Sequence, residues 1–150
     1  MRPVSWILVL CPLLLPAAEG GCAAEAQAAL QVVEGYIAAF NTRDIRKFEA
    51  TMHYPHVRLA DGMVKVWEAP PGQQEIFGAL EKSIGWDHTR LEEKKVIQCG
   101  PDKVHVTVKV TRRRKDGTPI HAFDSLYVVS NHGGRWGIQI RSSYAPEKLK

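Results

Sequence analysis

Cysteine is scarce in this chain, three in 150 residues, which excludes a small scaffold stapled by disulfides. Long apolar runs are scarce too. The longest, from Val4 to Leu15, is broken by Ser5 and Pro12 and falls short of the ~20 residues that a membrane-spanning helix needs. A strong excess of one sign of charge is missing, since 20 Lys and Arg stand against 16 Asp and Glu. With 45% hydrophobic residues spread along the chain, low-complexity disorder is excluded and one domain with a substantial core is expected. There is no internal repeat and no linker that would divide it.

What is present begins with a basic start at Arg2, a dozen mostly apolar residues, and a small-residue stretch through Ala17, Ala18, Gly20, Gly21, Ala23, Ala24 and Ala26. This is the pattern of a secretory signal peptide over residues 1–26, with cleavage expected after Ala24 or Ala26. Secretion or a periplasmic location follows. A rival is a lipid anchor on Cys22, but Glu19 stands where such signals carry an apolar residue. Removing 1–26 takes away Arg2, Glu19 and Glu25, leaving 19 basic and 14 acidic residues. It also leaves Cys99 as the single cysteine, so this reading expects no intramolecular disulfide and takes Cys99 as a small apolar filler.

Helical periodicity opens the mature chain, residues 27–150. Leu30, Val33, Tyr36, Ile37 and Phe40 share a face of a helix from about Ala26 to Asn41. A shorter helix is expected next, with Thr42 as N-cap, a stripe of Ile45, Phe48 and Met52, and Pro55 at its end. Asp61-Gly62 then joins two short strands as a hairpin. A third helix carries Ile76, Phe77, Leu80 and Ile84, and four strands follow as an antiparallel meander from Trp86 to Tyr144. The clearest strand alternates Val104, Val106, Val108 and Val110 with His105, Thr107 and Lys109.

This order of two helices, a short hairpin, a third helix and a long meander resembles the nuclear transport factor 2-like superfamily, which includes SnoaL-like cyclases, ketosteroid isomerases and scytalone dehydratases. Tyr36–Ile45 resembles the family's first-helix ending and acidic turn, and Gly134–Ile138 resembles its last strand. The resemblance covers the mature chain. It implies an α+β, cystatin-like cone in which a curled sheet wraps the first helix around a pocket, and it implies homodimers through the sheet.

The resemblance makes Tyr36 the counterpart of the isomerase tyrosine that donates to an oxyanion, although a tyrosine on an apolar helix face also serves as core. The isomerase base falls on Ala60, or on Asp61 after a one-residue shift, and its second acid falls near Tyr127. Steroid isomerase chemistry is therefore disfavoured. Strand parity puts Ile140 and Ser142 inward and Gln139, Arg141 and Ser143 outward, so the pocket is expected to be apolar, with Trp67, Trp86 and Tyr127 as walls.

His53 is expected at the pocket mouth as an acid or base. His53 and His56 flank Pro55 and lack the spacing and third ligand of a zinc site, so no metal is expected. No other cofactor is indicated. His105 and His121 are expected on exposed strand positions, and His132 in a turn. Arg112–Lys115 reads as a solvated hairpin tip. Without interleaved basic and aromatic residues, no nucleic-acid partner is expected.

Three functions stay open. The first is a binding module for a small apolar ligand held by Tyr36 and His53. The second is a lyase, isomerase or cyclase in which Tyr36 polarises a carbonyl and His53 or Asp61 moves a proton. The third is an interaction domain using an outer sheet face that includes Leu126 and Val128.

Overall fold

The computed structural model describes residues 22–146; residues 1–21 of the expected export signal lie outside the described residues. Helix α1 spans Ala23–Asn41, α2 Ile45–Glu49 and α3 Glu75–Ile84. The strands are β1 Met52–Ala60, β2 Met63–Trp67, β3 His88–Cys99, β4 Lys103–Arg113, β5 Pro119–His132 and β6 Arg135–Ser143. This is the expected α+β cone and the expected order of elements. No helix among the described residues is long and apolar enough to cross a membrane.

The strands form one curled sheet in the order β2-β1-β6-β5-β4-β3. β3 to β6 make the antiparallel meander. The hairpin β1–β2 joins it through a parallel pairing of β1 with β6. The hairpin turn forms as its sequence dictates. Asp61 (φ 49°) and Gly62 (φ 73°) both take the left-handed conformation, which a two-residue loop matched to strand twist requires.

α1 lies against the concave face of the sheet. Its buried residues Ala29, Val33, Tyr36 and Ile37 fall on one stripe because four residues advance a helix by little more than one turn. Across from them stand the buried valines 104, 106, 108 and 110 of β4 and Val129 of β5. A cluster of Phe40, Phe48, Phe77 and Trp86 closes one end of this core.

Local expectations are corrected in three places. Thr42 closes α1 rather than opening α2: its hydroxyl donates to the Ala39 carbonyl at 2.7 Å. The N-cap of α2 is Asp44, whose carboxylate accepts from the backbone N–H groups of Arg46 and Lys47 at 3.0 and 3.2 Å. Finally, α2 ends at Glu49, so Met52 and Pro55 belong to β1, and the Tyr54–Pro55 peptide bond is cis.

Cys99 is not a lone filler. It forms a disulfide with Cys22, with Cα atoms 6.0 Å apart and a sequence separation of 77. The bond ties the residue preceding α1 to the end of β3. α1 begins at Ala23, ahead of both expected cleavage positions.

Candidate functional site

Between α1, α3 and the concave face of the sheet lies a cavity of about 300 Å³. Alternation along β1 turns Tyr54, His56 and Arg58 towards it, and the register of the hairpin adds Lys65 and Trp67 from β2. Tyr36, Phe40 and Phe48 come from the helices, and Tyr127 from β5. The wall is aromatic, as expected. The floor is not apolar, because Arg58, Lys65, Arg112 and Arg141 all line the cavity.

Arg141 reaches the cavity through a β-bulge. The β5–β6 register passes from Val129↔Ile138 to Val128↔Ile140, which leaves Gln139 as an extra residue in β6. Ile138, before the bulge, is buried in the core. Beyond it the parity inverts, so Arg141 and Ser143 face the cavity while Ile140 is exposed on the other side. Counting alternation straight through the strand had placed these residues the other way round. Gln139 is held by its own side chain, which donates to the Pro55 carbonyl and accepts from the Ser130 hydroxyl.

The cavity centres on a chain of hydrogen bonds. His56 Nδ1 donates to the Ile138 carbonyl at 3.1 Å, which fixes Nε2 as the acceptor for Arg141 Nε–H at 3.1 Å. The same guanidinium donates from Nη1 to the Tyr36 hydroxyl. Both ring nitrogens of His56 are thus committed in the neutral form. Burial, reinforced by the Arg141 charge, pulls its pKa down to about 3. Burial pushes the Tyr36 phenol above its ordinary range, against the opposing pull of Arg141. Tyr127 is raised by burial too, and Tyr54 goes up to about 12 for the same reason.

Among the other expected site residues, Tyr36, Trp67 and Tyr127 line the cavity, whereas His53, Asp61 and Trp86 do not. His53 is three residues from His56, an odd step, so the strand turns it to the opposite face. There its ring stacks on His132 at 4.1 Å between centroids and its Nδ1 meets the Ser130 hydroxyl at 3.0 Å. It packs so closely over Gly137 that a Cβ there would come within 2.9 Å of the ring. Burial, with the Arg135 and His132 charges, lowers its pKa to about 4.

Asp61 is occupied by the hairpin turn. Trp86 is core: its indole N–H donates to Thr89 Oγ1 at 3.0 Å, and Arg43 covers its ring. The basic run Arg112–Lys115 is also more than a solvated tip. Arg112 lines the cavity, Arg113 pairs with Glu92 at 2.9 Å, and Arg114 donates to the Ile84 carbonyl at 3.1 Å.

Sequence reasoning missed the polar cavity residues Tyr54, His56, Arg58, Lys65, Arg112 and Arg141. For His56 and Arg58 a signal existed, the shared parity of Tyr54, His56 and Arg58 once a strand is allowed to begin at Met52. For Arg141 there was none, because the bulge exists only in the pairing with β5.

Comparison with known proteins agrees with this fold. A family model described as NTF2-like protein (DUF6841) matches residues 24–146. Among solved structures, a ketosteroid isomerase-like protein from Erwinia carotovora atroseptica is 23% identical, with a TM-score of 0.59 over 80% of this chain and 95% of that one. A protein of unknown function with a cystatin-like fold from Nostoc punctiforme is 13% identical, with a TM-score of 0.65 over 85% and 95%. An NTF2-like protein of unknown function from Pseudomonas putida is 14% identical, with a TM-score of 0.65 over 85% and 91%. At these identities the likeness is one of fold. A comparison with curated proteins finds no match.

Proposed function

This chain belongs to the NTF2-like family whose model spans residues 24–146, and from that premise we propose that it is an exported domain that binds a small organic molecule in its cone. The observation that carries the reading is the cavity itself, about 300 Å³ with aromatic walls and a polar floor fixed by hydrogen bonds. A lyase, isomerase or cyclase would need a proton acceptor turned towards its substrate. His56 has both nitrogens engaged, and Glu49, the one carboxylate among the lining residues, accepts the Gly72 N–H at 2.7 Å. His53 and Asp61, the acid–base candidates from sequence, lie outside the cavity lining. Binding is the activity these groups support.

The test is a thermal-shift screen with small aromatic and aliphatic molecules of both charge types and none. Compounds that raise the Tm of the wild type should lose their effect in Val110→Phe, whose ring extends into the cavity from β4. A screen without hits, or hits indifferent to that substitution, would refute the reading.

Export is supported by the Cys22–Cys99 disulfide, because such bonds persist in oxidising compartments. Cleavage after Ala24 or Ala26 would discard Cys22 and remove the first turn of α1. Ala18-Glu19-Gly20 offers small residues three and one positions before a cut, so we place cleavage after Gly20. A sulfur held in a disulfide cannot also carry a thioether lipid. Intact mass of the exported protein should show Gly21 at the N-terminus and two mass units less than the reduced chain.

The outer sheet face offers a contact for a second copy. Register brings Val57, Leu59, Val64, Val66 and Ile140 onto one side of β1, β2 and β6, and four of these, Leu59, Val64, Val66 and Ile140, are exposed. A homodimer through this face should dissociate in Leu59→Lys/Val66→Lys, read by light scattering.

A further inference from the structure

One stretch of the cavity wall is neither helix nor strand and is not tied down by its backbone. Residues 68–74 run from the end of β2 to the start of α3, and all of them are exposed. Pro71 and Gln73 nevertheless line the cavity. Pro70 and Pro71 stiffen this strap and remove two backbone donors, and Gly72 takes a left-handed φ of 67°. Among the described residues, its backbone–backbone hydrogen bonds are local, such as Gln74 N–H to the Gly72 carbonyl at 2.9 Å.

Two side chains fasten the strap to the rest of the molecule. Gln74 Nε2 donates to the Arg43 carbonyl at 2.7 Å, and its Oε1 accepts the Ile45 N–H at 3.0 Å. One amide thus pins the α3 end of the strap to the turn between α1 and α2. The Arg43–Glu81 ion pair at 2.6 Å reinforces that end from α3. The middle of the strap is held by Glu49, whose Oε1 accepts the Gly72 N–H at 2.7 Å. Glu49 is buried and is itself a cavity residue, so this bond is sheltered from competing water.

The other lining segment outside helix and strand, Ala145-Pro146, is fastened differently. Ala145 is buried, and the backbone N–H groups of Tyr144 and Ala145 donate to the Asp124 carbonyl and Ser143 Oγ. Exposed segments with few backbone bonds open at a small fraction of the free energy of global unfolding. By that measure the strap is the part of the wall that opens first.

We propose that residues 68–74 are a gate to the cone, hinged at Gln74 and latched by the Glu49 carboxylate on Gly72, and that release of this latch admits and discharges the ligand. Gating segments of this kind set entry and exit rates in many binding sites. The purpose of the gate rests on the small-molecule reading above; its existence is tested without a ligand.

The test is oxidation of the exported domain by hydrogen peroxide, followed by peptide mass. Peroxide converts a methionine thioether to the sulfoxide and is itself reduced to water. Met52 lines the cavity and is 5% exposed, whereas Met63 at the hairpin is 48% exposed and serves as the internal reference. Glu49→Leu should speed Met52 oxidation about tenfold, the scale of one charge-assisted hydrogen bond. The Met63 rate and the amide exchange of β4 should stay as in wild type. Glu49→Gln keeps an acceptor oxygen and should remain within about threefold of wild type. Gln74→Ala is the second variant, should Glu49→Leu fold poorly, and it should speed Met52 oxidation by freeing the other end of the strap.

Met52 oxidation at the wild-type rate in both Glu49→Leu and Gln74→Ala would overturn the gate. So would a faster rate accompanied by faster β4 exchange, which would mean that the whole domain had loosened. Peroxide needs no site in the cone, so either result leaves the small-molecule reading standing. An empty ligand screen with Met52 responding as expected would remove that reading and keep the gate.

Discussion

Two halves of one sheet are built on opposite plans. In β4 the alternation is unbroken, and Val104, Val106, Val108 and Val110 are all buried. Their neighbours on the strand face outward, as a period of two requires. In β1 and β6 the backbone is irregular, with a register shift between Met52 and Val57 and another at Gln139. The concave face there carries His56, Arg58 and Arg141 instead of valines. The regular half is mostly core, with Val110 and Arg112 at its end reaching the cavity. The irregular half carries the site, and its polar side chains are tolerated because they meet a cavity and each other.

That contrast can be broken most severely by moving a charge from one half to the other. Val106→Arg places a guanidinium against α1 with no cavity to receive it, and should cost on the order of 4 kcal/mol or more. Urea titration would show an unfolded or barely folded chain. A stable variant would mean that the β4 face is not closed.

The two buried histidines of β1 predict a pH effect of definite sign. His56 falls to about 3 and His53 to about 4 from an ordinary 6.5, so the unfolded chain binds protons that the folded chain refuses. Their stabilising effect is complete above pH 6.5 and is lost as pH falls towards 4. The slope approaches about 1.4 kcal/mol per pH unit for each histidine. Denaturation midpoints from pH 7 to 4 should fall accordingly, and two imidazole resonances should not titrate between pH 7 and 5. If all six histidines titrate near 6.5, the burial argument fails.

A smaller effect is expected at Gly137, where His53 leaves no room for a methyl group. Gly137→Ala should cost about 1–3 kcal/mol by overpacking, measurable as a lowered urea midpoint. The same substitution at Gly35 of α1, where a Cβ would meet nothing within 4 Å, should raise stability by roughly 0.5–1 kcal/mol.

The mildest test sharpens the comparison. Deleting Gln139 leaves Ile138, Ile140 and Arg141 in ordinary alternation, so Arg141 should still face the cavity. Only the hydrogen bonds to Pro55 and Ser130 are lost, at about 1–2 kcal/mol. Cavity ligands should therefore bind the deletion variant nearly as well as wild type. A complete loss of binding would show that the bulge itself shapes the site.

Legibility in the sequence follows the same divide. Tyr36 was legible from its place on a regular helical stripe together with the family resemblance, and Tyr127 and Trp67 as walls of the pocket that the resemblance implied. His53 was misplaced because Pro55 was read as the end of a helix, when the chain had already entered β1. Arg112 was hidden inside a basic run whose other members, Arg113 and Arg114, serve neighbouring loops and strands.

By itself the sequence determined the order of elements, the Asp61-Gly62 turn and the core face of α1 and β4, while the cone was implied by the family resemblance of that order. These depend on local periodicity and turn chemistry, which the chain carries in its own residues. Tertiary structure alone decided that Cys22 meets Cys99 across 77 residues, that Arg141 turns inward, and that the cations of four strands converge on one cavity. A bulge is a mismatch between two paired strands and convergence is a property of the curled sheet, so neither is written in any single segment.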